Sequence, residues 1–246
     1  MSLKGKIKKY IEAKVRQAVL EIFEEERHNI KYGLQKLALE ETCNWIQENV
    51  PINKAFEDRF DLLTESIKHI EVEDGLVLEF GVYKGETINH IANHINKNKL
   101  IYGFDSFEGL KEPWIFMNKG GFSDAAGVMP SVPENVTLVK GFFSETLPDF
   151  TSNTDAMISL LHIDSDLYSS AKTIFNELNS LIVKGTVIVF DEFFNYPNWK
   201  NGEFKAWNEF VQKHKVEFEY IGYTFQRTKY KKSGNQLAIK VLKRGV

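Results

Sequence analysis

Twelve consecutive residues, Leu76-Val77-Leu78-Glu79-Phe80-Gly81-Val82-Tyr83-Lys84-Gly85-Glu86-Thr87, leave the backbone little choice. An apolar run closes on an acid, two glycines bracket a tight turn, and a helix start follows. The segment reads as a buried strand, a glycine turn and a helix N-terminus. Asp105 then closes the next apolar run, Leu100-Ile101-Tyr102-Gly103-Phe104. Two such units form the carboxyl edge of a parallel sheet, where nucleoside sites are built. Glycine allows close backbone approach to a ligand, and a strand-end carboxylate can accept hydrogen bonds from two ribose hydroxyls.

The turn argues against a dinucleotide. Pyrophosphate binding needs Gly-x-Gly-x-x-Gly, and the second glycine position here is Tyr83. Glu79 beside the ligand would repel a pyrophosphate and suit a cation instead. S-adenosylmethionine has a sulfonium, an ammonium and a ribose, and fits that requirement. The plainer alternative is an ordinary strand-to-helix turn with a solvated acid.

The surrounding pattern supplies the rest of an α/β fold. Residues 6 to 48 read as one long helical region, with Ile7, Ile11, Val15, Val19, Ile22 and Phe23 at helical spacing. Glu24-Glu25-Glu26 falls on its wet side, a second stripe holds Ile30, Leu34, Leu37, Cys43 and Ile46, and Pro51 ends it. Residues 1–55 are therefore expected to be a helical extension, serving as an oligomer arm or a lid, and 56–246 the main domain. Cys43, the single cysteine, is expected as a small buried residue. Phe56 to Ile70 reads as a helix. Strands are expected at Leu76–Gly81, Leu100–Asp105, Val136–Lys140, Met157–Asp164 and Gly185–Asp191. Helices are expected at Thr87–Asn96, Ser170–Leu181 and Phe204–His214. A closing pair of strands, Glu217–Thr224 and Gln236–Leu242, predicts a sheet that is parallel except for one reversed edge strand. Residues 111 to 135 form a long irregular segment whose Trp114, Phe116, Met117 and Phe122 suggest a flap near the ligand.

Strand ends also gather acids. His162-Ile163-Asp164-Ser165-Asp166 and Asp191-Glu192 both close on the ligand-binding edge. Asp164, Asp191 and Glu192 are candidate ligands of a hard cation such as Mg2+, since all their donors are oxygens. A metal there could hold an acceptor hydroxyl and lower its pKa. Asp164 and Asp191 are the candidate catalytic acids or bases. The bland reading is that one or two of them cap helices or bind ribose, and Asp166 in particular could cap the next helix. His90 and His94 stand four apart but lack a third zinc ligand, so a solvated helix face is the better reading. His162 reads as a satisfied core histidine. Arg227, Lys229, Lys231 and Lys232 read as a solvated hairpin tip.

A net charge of −3 argues against a general nucleic-acid binder, and no run reaches the length of a membrane span. Without a signal-peptide pattern and with one cysteine, a cytoplasmic location is expected.

The ordered set Glu79–Gly85, Gly103–Leu110, Gly141–Pro148, His162–Tyr168, Val189–Phe193 and Glu203–Trp207 resembles the macrocin O-methyltransferase family. That resemblance implies a class I, Rossmann-like methyltransferase fold with a seven-stranded, mostly parallel sheet. It implies Mg2+-dependent methyl transfer from S-adenosylmethionine to a hydroxyl of a sugar or other small molecule, by a homo-oligomer, a dimer. By the same likeness Glu79, Gly81, Tyr83 and Gly85 line the methionine end, with Phe80 and Thr87 of the same turn. Asp105 holds the ribose with Ser106 close by, and Gly141, Phe142 and Phe143 flank the adenine. Asp164 joins both the cofactor and the metal site, and Asp191 and Glu192 complete the latter. The family often has two aspartates at this last strand end, where this chain has Asp191-Glu192. The competing readings are a nicotinamide-dependent oxidoreductase and a non-catalytic interaction module.

Overall fold

The computed structural model describes residues 3–123, 127–225 and 234–245. Two helices come first, α1 (Leu3–His28) and α2 (Ile30–Asn49). There follow β1 (Ala55–Phe56), α3 (Arg59–Lys68), β2 (Leu76–Phe80), α4 (Glu86–His94), β3 (Ile101–Asp105) and β4 (Val136–Lys140). The chain continues through α5 (Phe143–Ser152), β5 (Ile158–Ile163), α6 (Tyr168–Glu177) and β6 (Val187–Phe190). It closes with α7 (Glu203–His214), β7 (Glu217–Thr224) and β8 (Leu237–Lys243).

The described residues form one eight-stranded sheet, ordered β1-β7-β8-β6-β5-β2-β3-β4. Its parallel character and its terminal reversal agree with the sequence, with two differences. The reversed strand β8 is internal, antiparallel to both β6 and β7. The eighth strand is the two-residue β1, which pairs with β7, so Phe56 is a strand residue rather than a helix start. Helix α3 begins after it, where the Asp58 carboxylate accepts from Phe60 N at 2.8 Å and caps the first turn.

Strand alternation divides the core in two. In β6, Ile188 and Phe190 join the cluster on the α5, α6 and α7 side, while Val187 and Val189 face α3 and α4. Both faces are covered, so these strands read as unbroken apolar runs. The chain lays β3 and β4 on one side of β2, then returns to place β5 on the other. The carboxyl ends of β2 and β5 therefore flank a reversal of strand order, where open α/β sheets bind ligands.

The N-terminal region corrects three expectations. The expected single helical stretch breaks at Asn29, whose extended backbone and side chain cap α2 by accepting from Tyr32 N. The face of α2 that packs carries Ala38 and Thr42, with Trp45 and Ile46 half-buried against the core. Ile30, Leu34, Leu37 and Cys43 are exposed. Cys43 follows Thr42 by one residue, about 100° around the helix, so burying one turns the other out. Trp45 anchors the helix by ring contacts of 5.6–6.2 Å with Phe193, Phe194, Trp199, Phe204 and Tyr220. Among the described residues no helix is long and apolar enough to cross a membrane. The cluster Arg227, Lys229, Lys231 and Lys232 lies outside the described residues.

Candidate active site

The β2 turn is held by packing and by one carboxylate. Gly81 has φ +96°, and a Cβ there would lie 1.7 Å from the Asp164 carbonyl oxygen. The ends of β2 and β5 are that close because Asp164 N donates to Phe80 O at 2.8 Å. Asp105 Oδ2 accepts from both Val82 N and Tyr83 N at 2.8 Å, and its Oδ1 accepts from Phe107 N at 2.7 Å. A carboxylate has about four acceptor sites, so Asp105 keeps room for about one more donor.

A cavity of about 900 Å³ opens at this edge of the sheet. Of the sequence-predicted residues, Gly81, Tyr83, Thr87, Asp105, Ser106, Gly141, Phe142, Phe143, Asp164, Asp191 and Glu192 line it. Glu79, Phe80 and Gly85 do not. Phe80 is in the core, stacked on Phe104 at 4.8 Å. Glu79 is fully buried beneath the turn, with Oε1 accepting from Thr87 Oγ1 at 3.1 Å and Oε2 2.9 Å from His162 Nδ1. Burial raises the Glu79 pKa despite those bonds. His162 is thus the satisfied core histidine expected. His90 and His94 stack at 4.0 Å, and His90 Nε2 pairs with Thr64 Oγ1, which gives neither a ligand geometry.

Four residues lining the cavity adopt positive φ without being glycine: Tyr83 (48°), Phe107 (52°), Phe122 (65°) and Asp166 (58°). Strain of this kind concentrates at ligand sites. Phe122 belongs to the long irregular segment and meets the Tyr83 ring at 5.6 Å. Trp114 and Met117 of that segment also line the cavity, and Trp114 packs on Tyr196 at 5.8 Å. Phe116 lies apart, under Lys31 of α2.

The acids do not converge quite as expected. Asp164, Asp166 and Glu192 each present an oxygen within 4.8 Å of the others. Asp191 is held separately: Gln236 Nε2 donates to its Oδ1 at 3.1 Å, and Arg59 Nη1 lies 4.0 Å from its Oδ2. Asp166 does not cap α6, whose cap position is Leu167. Burial, then the charges of Asp191 and neighbouring acids, pushes Asp164 and Glu192 well above the carboxylate range and Asp166 up to about 8. Glu192 Oε2 is buried with no hydrogen-bond partner. An orphaned oxygen amid three close carboxylates calls for a proton or a shared cation, and an all-oxygen set at this spacing fits a hard one.

Glu203 opens α7 and supports this arrangement from behind. Its Oε1 accepts from Ser165 N at 3.1 Å and Ser165 Oγ at 3.3 Å, and it is fully buried. Burial raises its pKa to about 8, opposed by the backbone N–H groups of Ser165 and Glu192. Arg59, Gln236 and Glu203 were not singled out as site residues in the sequence. They reach it from remote elements, and only Glu203 carries a signal in the sequence, as the first residue of the Glu203–Trp207 segment of the family likeness.

Residues 78–193 match the sequence model of a family described as a methyltransferase domain. No curated protein matches the chain significantly. Among solved structures, calicheamicin methyltransferase CalS11 is 20% identical, with 85% of this chain and 90% of that chain covered, at a TM-score of 0.55. The O-methyltransferase NovP is 17% identical over 75% of this chain and 80% of that chain, at a TM-score of 0.52. These likenesses establish the class I, Rossmann-like methyltransferase fold. The chain is an S-adenosylmethionine-dependent methyltransferase, which sets aside the oxidoreductase and the non-catalytic readings.

Proposed function

We propose that this methyltransferase transfers its methyl group to a hydroxyl of a sugar or similar small molecule, assisted by a divalent cation such as Mg2+. One observation carries the reading. Asp164, Asp166 and Glu192 form an oxygen-only cluster with a buried, unpartnered Glu192 oxygen, in the same cavity as the β2 turn and Asp105. A structural relative, CalS11, is described as a TDP-rhamnose 3'-O-methyltransferase, which supports a sugar acceptor.

In this reading Gly81, Tyr83 and Thr87 border the methionine end of the cofactor. Asp105 accepts from a ribose hydroxyl with its remaining acceptor site. Gly141, Phe142 and Phe143 border the adenine. Asp164, Asp166 and Glu192 would hold the cation, which supplies Lewis-acid polarisation of the acceptor oxygen. Asp164 and Asp191 are the candidates for receiving the hydroxyl proton, and Arg59 and Gln236 fix the position of Asp191. The flap residues Trp114, Met117 and Phe122 would exclude water from the acceptor.

The test is methyl transfer from labelled S-adenosylmethionine to a panel of hydroxylated sugars and nucleotide-linked sugars, with and without a chelator. Product is expected only when a divalent cation is present. Undiminished turnover in chelator refutes the cation's part, and absent calorimetric binding of S-adenosylmethionine refutes the cofactor site.

A further inference from the structure

The antiparallel pairing of β6 with β8 ends at Phe190 and Leu237. Beyond that end the two chain segments stay side by side by other means. Asn235 O accepts from Phe193 N at 2.9 Å, and Asn195 Nδ2 donates to Gly234 O at 2.9 Å. Thr224 locks the same corner from within. Its Oγ1 accepts from Gly234 N at 2.8 Å and from Gln236 N at 3.1 Å. A hydroxyl has two acceptor lone pairs and one proton, so only the proton is left to offer. It goes to Gln236 Oε1 at 2.6 Å, which turns Gln236 Nε2 towards Asp191 Oδ1 at 3.1 Å.

Asn195 joins this corner to α2. Its backbone is left-handed, with φ 62°, a conformation that asparagine tolerates better than most residues. Its N–H donates to Thr42 Oγ1 at 2.9 Å, and its carbonyl accepts from Gln35 Nε2 at 2.8 Å. Gln35 and Thr42 stand about two helical turns apart and so share a face of α2. Ala38 is buried on that face, and Trp45 meets the rings of Phe193 and Phe194. Apolar packing of this kind docks a helix without fixing a loop beside it. Two directed hydrogen bonds, one to each backbone polar group of a single left-handed residue, do fix it.

We propose that α2 is a working part of the active site: Gln35 and Thr42 are positioning residues that hold Asn195, and through it the corner at residues 234–236 that aims Asp191. This rests on the place given to Asp191 at the acceptor hydroxyl under the proposed function. If the two side chains only satisfied buried backbone groups, their loss would lower stability and leave turnover intact wherever the chain stays folded.

Methyl transfer by the full chain is measured well below the melting temperature of each variant, with calorimetric S-adenosylmethionine affinity alongside. Thr42→Val keeps the shape of the side chain and removes the acceptor. Asn195→Gly keeps the left-handed backbone and removes the bond to Gly234, and it decides alone if Thr42→Val does not fold. Each should lower kcat about tenfold, the scale of a catalytic group left partly unpositioned, with cofactor affinity unchanged within about twofold. Thr42→Ser, which keeps the hydroxyl, should retain wild-type turnover. In a Gln236→Ala background Asp191 has already lost its hold, so either exchange should cost less than about twofold more. Full turnover in a folded Thr42→Val or Asn195→Gly, or equal losses with and without Gln236, overturns the proposal. A wild-type chain that binds S-adenosylmethionine but methylates no hydroxyl acceptor overturns the functional reading, and this proposal with it.

Discussion

Gly81→Ala tests how closely the cofactor turn and the acid cluster are built on each other. The new methyl would begin 1.7 Å from the Asp164 carbonyl oxygen and 2.8 Å from its carbonyl carbon. Relieving that overlap moves a strand end by roughly 1 Å, because both atoms belong to backbone. Three costs add. Alanine at positive φ costs about 1–2 kcal/mol. Forced separation of packed segments costs about 1–3 kcal/mol. The Asp164 N to Phe80 O bond, 2.8 Å here, is worth about 1 kcal/mol if lost. The sum is about 3–6 kcal/mol, which for a chain this size lowers Tm by about 6–24 °C. Gly120→Ala is the control. Its φ is +85°, but no atom lies within 4 Å of the added Cβ, so only the conformational cost applies. That predicts a fall of about 2–8 °C. Scanning calorimetry on the ligand-free proteins reads both. If the two variants melt within 2 °C of each other, the steric argument fails. With it fails the view that Gly81 is required by the neighbouring strand rather than by its own backbone angle.

The acids give two further predictions. Asp166 and Glu203 have folded-state pKa values raised to about 8, above the ordinary carboxylate range. The folded protein therefore binds more protons than the unfolded chain between about pH 4 and 8, and metal-free stability falls as pH rises through that window. Thermal melts of chelator-treated protein should show Tm dropping from pH 6 to pH 8.5, and a flat or rising profile would contradict the burial of these groups. Because a cation competes with those protons, the Tm gain from added Mg2+ or Mn2+ should grow over the same range. Asp166→Asn should abolish most of that gain, while Asp191→Asn should leave it largely intact, and the reverse order would restore the assignment made from sequence.

That last contrast marks where the sequence stops being legible. A strand buried on both faces is apolar along most of its length, so Leu76–Phe80, Ile158–Ile163 and Val187–Phe190 announce themselves without any knowledge of their neighbours. Glycine at a turn is equally local. Helix α5 has no counterpart among the expected elements; Pro148 lies within Phe143–Ser152, a position where proline ordinarily disfavours a helix, and the helix accommodates it. Cys43 and Thr42 differ by one position on a helix whose docking is decided by Trp45, far from either side chain's own pattern. The acids show the same limit more sharply. Adjacent carboxylates at a strand end look alike in one dimension. Their roles separate through the positive φ of Asp166 and through Gln236, Arg59 and Glu203, which approach from the residue before β8, from α3 and from α7. Each of those contacts spans more than thirty residues of chain; Ser165 to Glu203 is 38 and Asp191 to Gln236 is 45. Strand order at the β2–β5 reversal brings them together, so the location of the chemistry follows from local pattern, while the division of labour among its acids follows from topology.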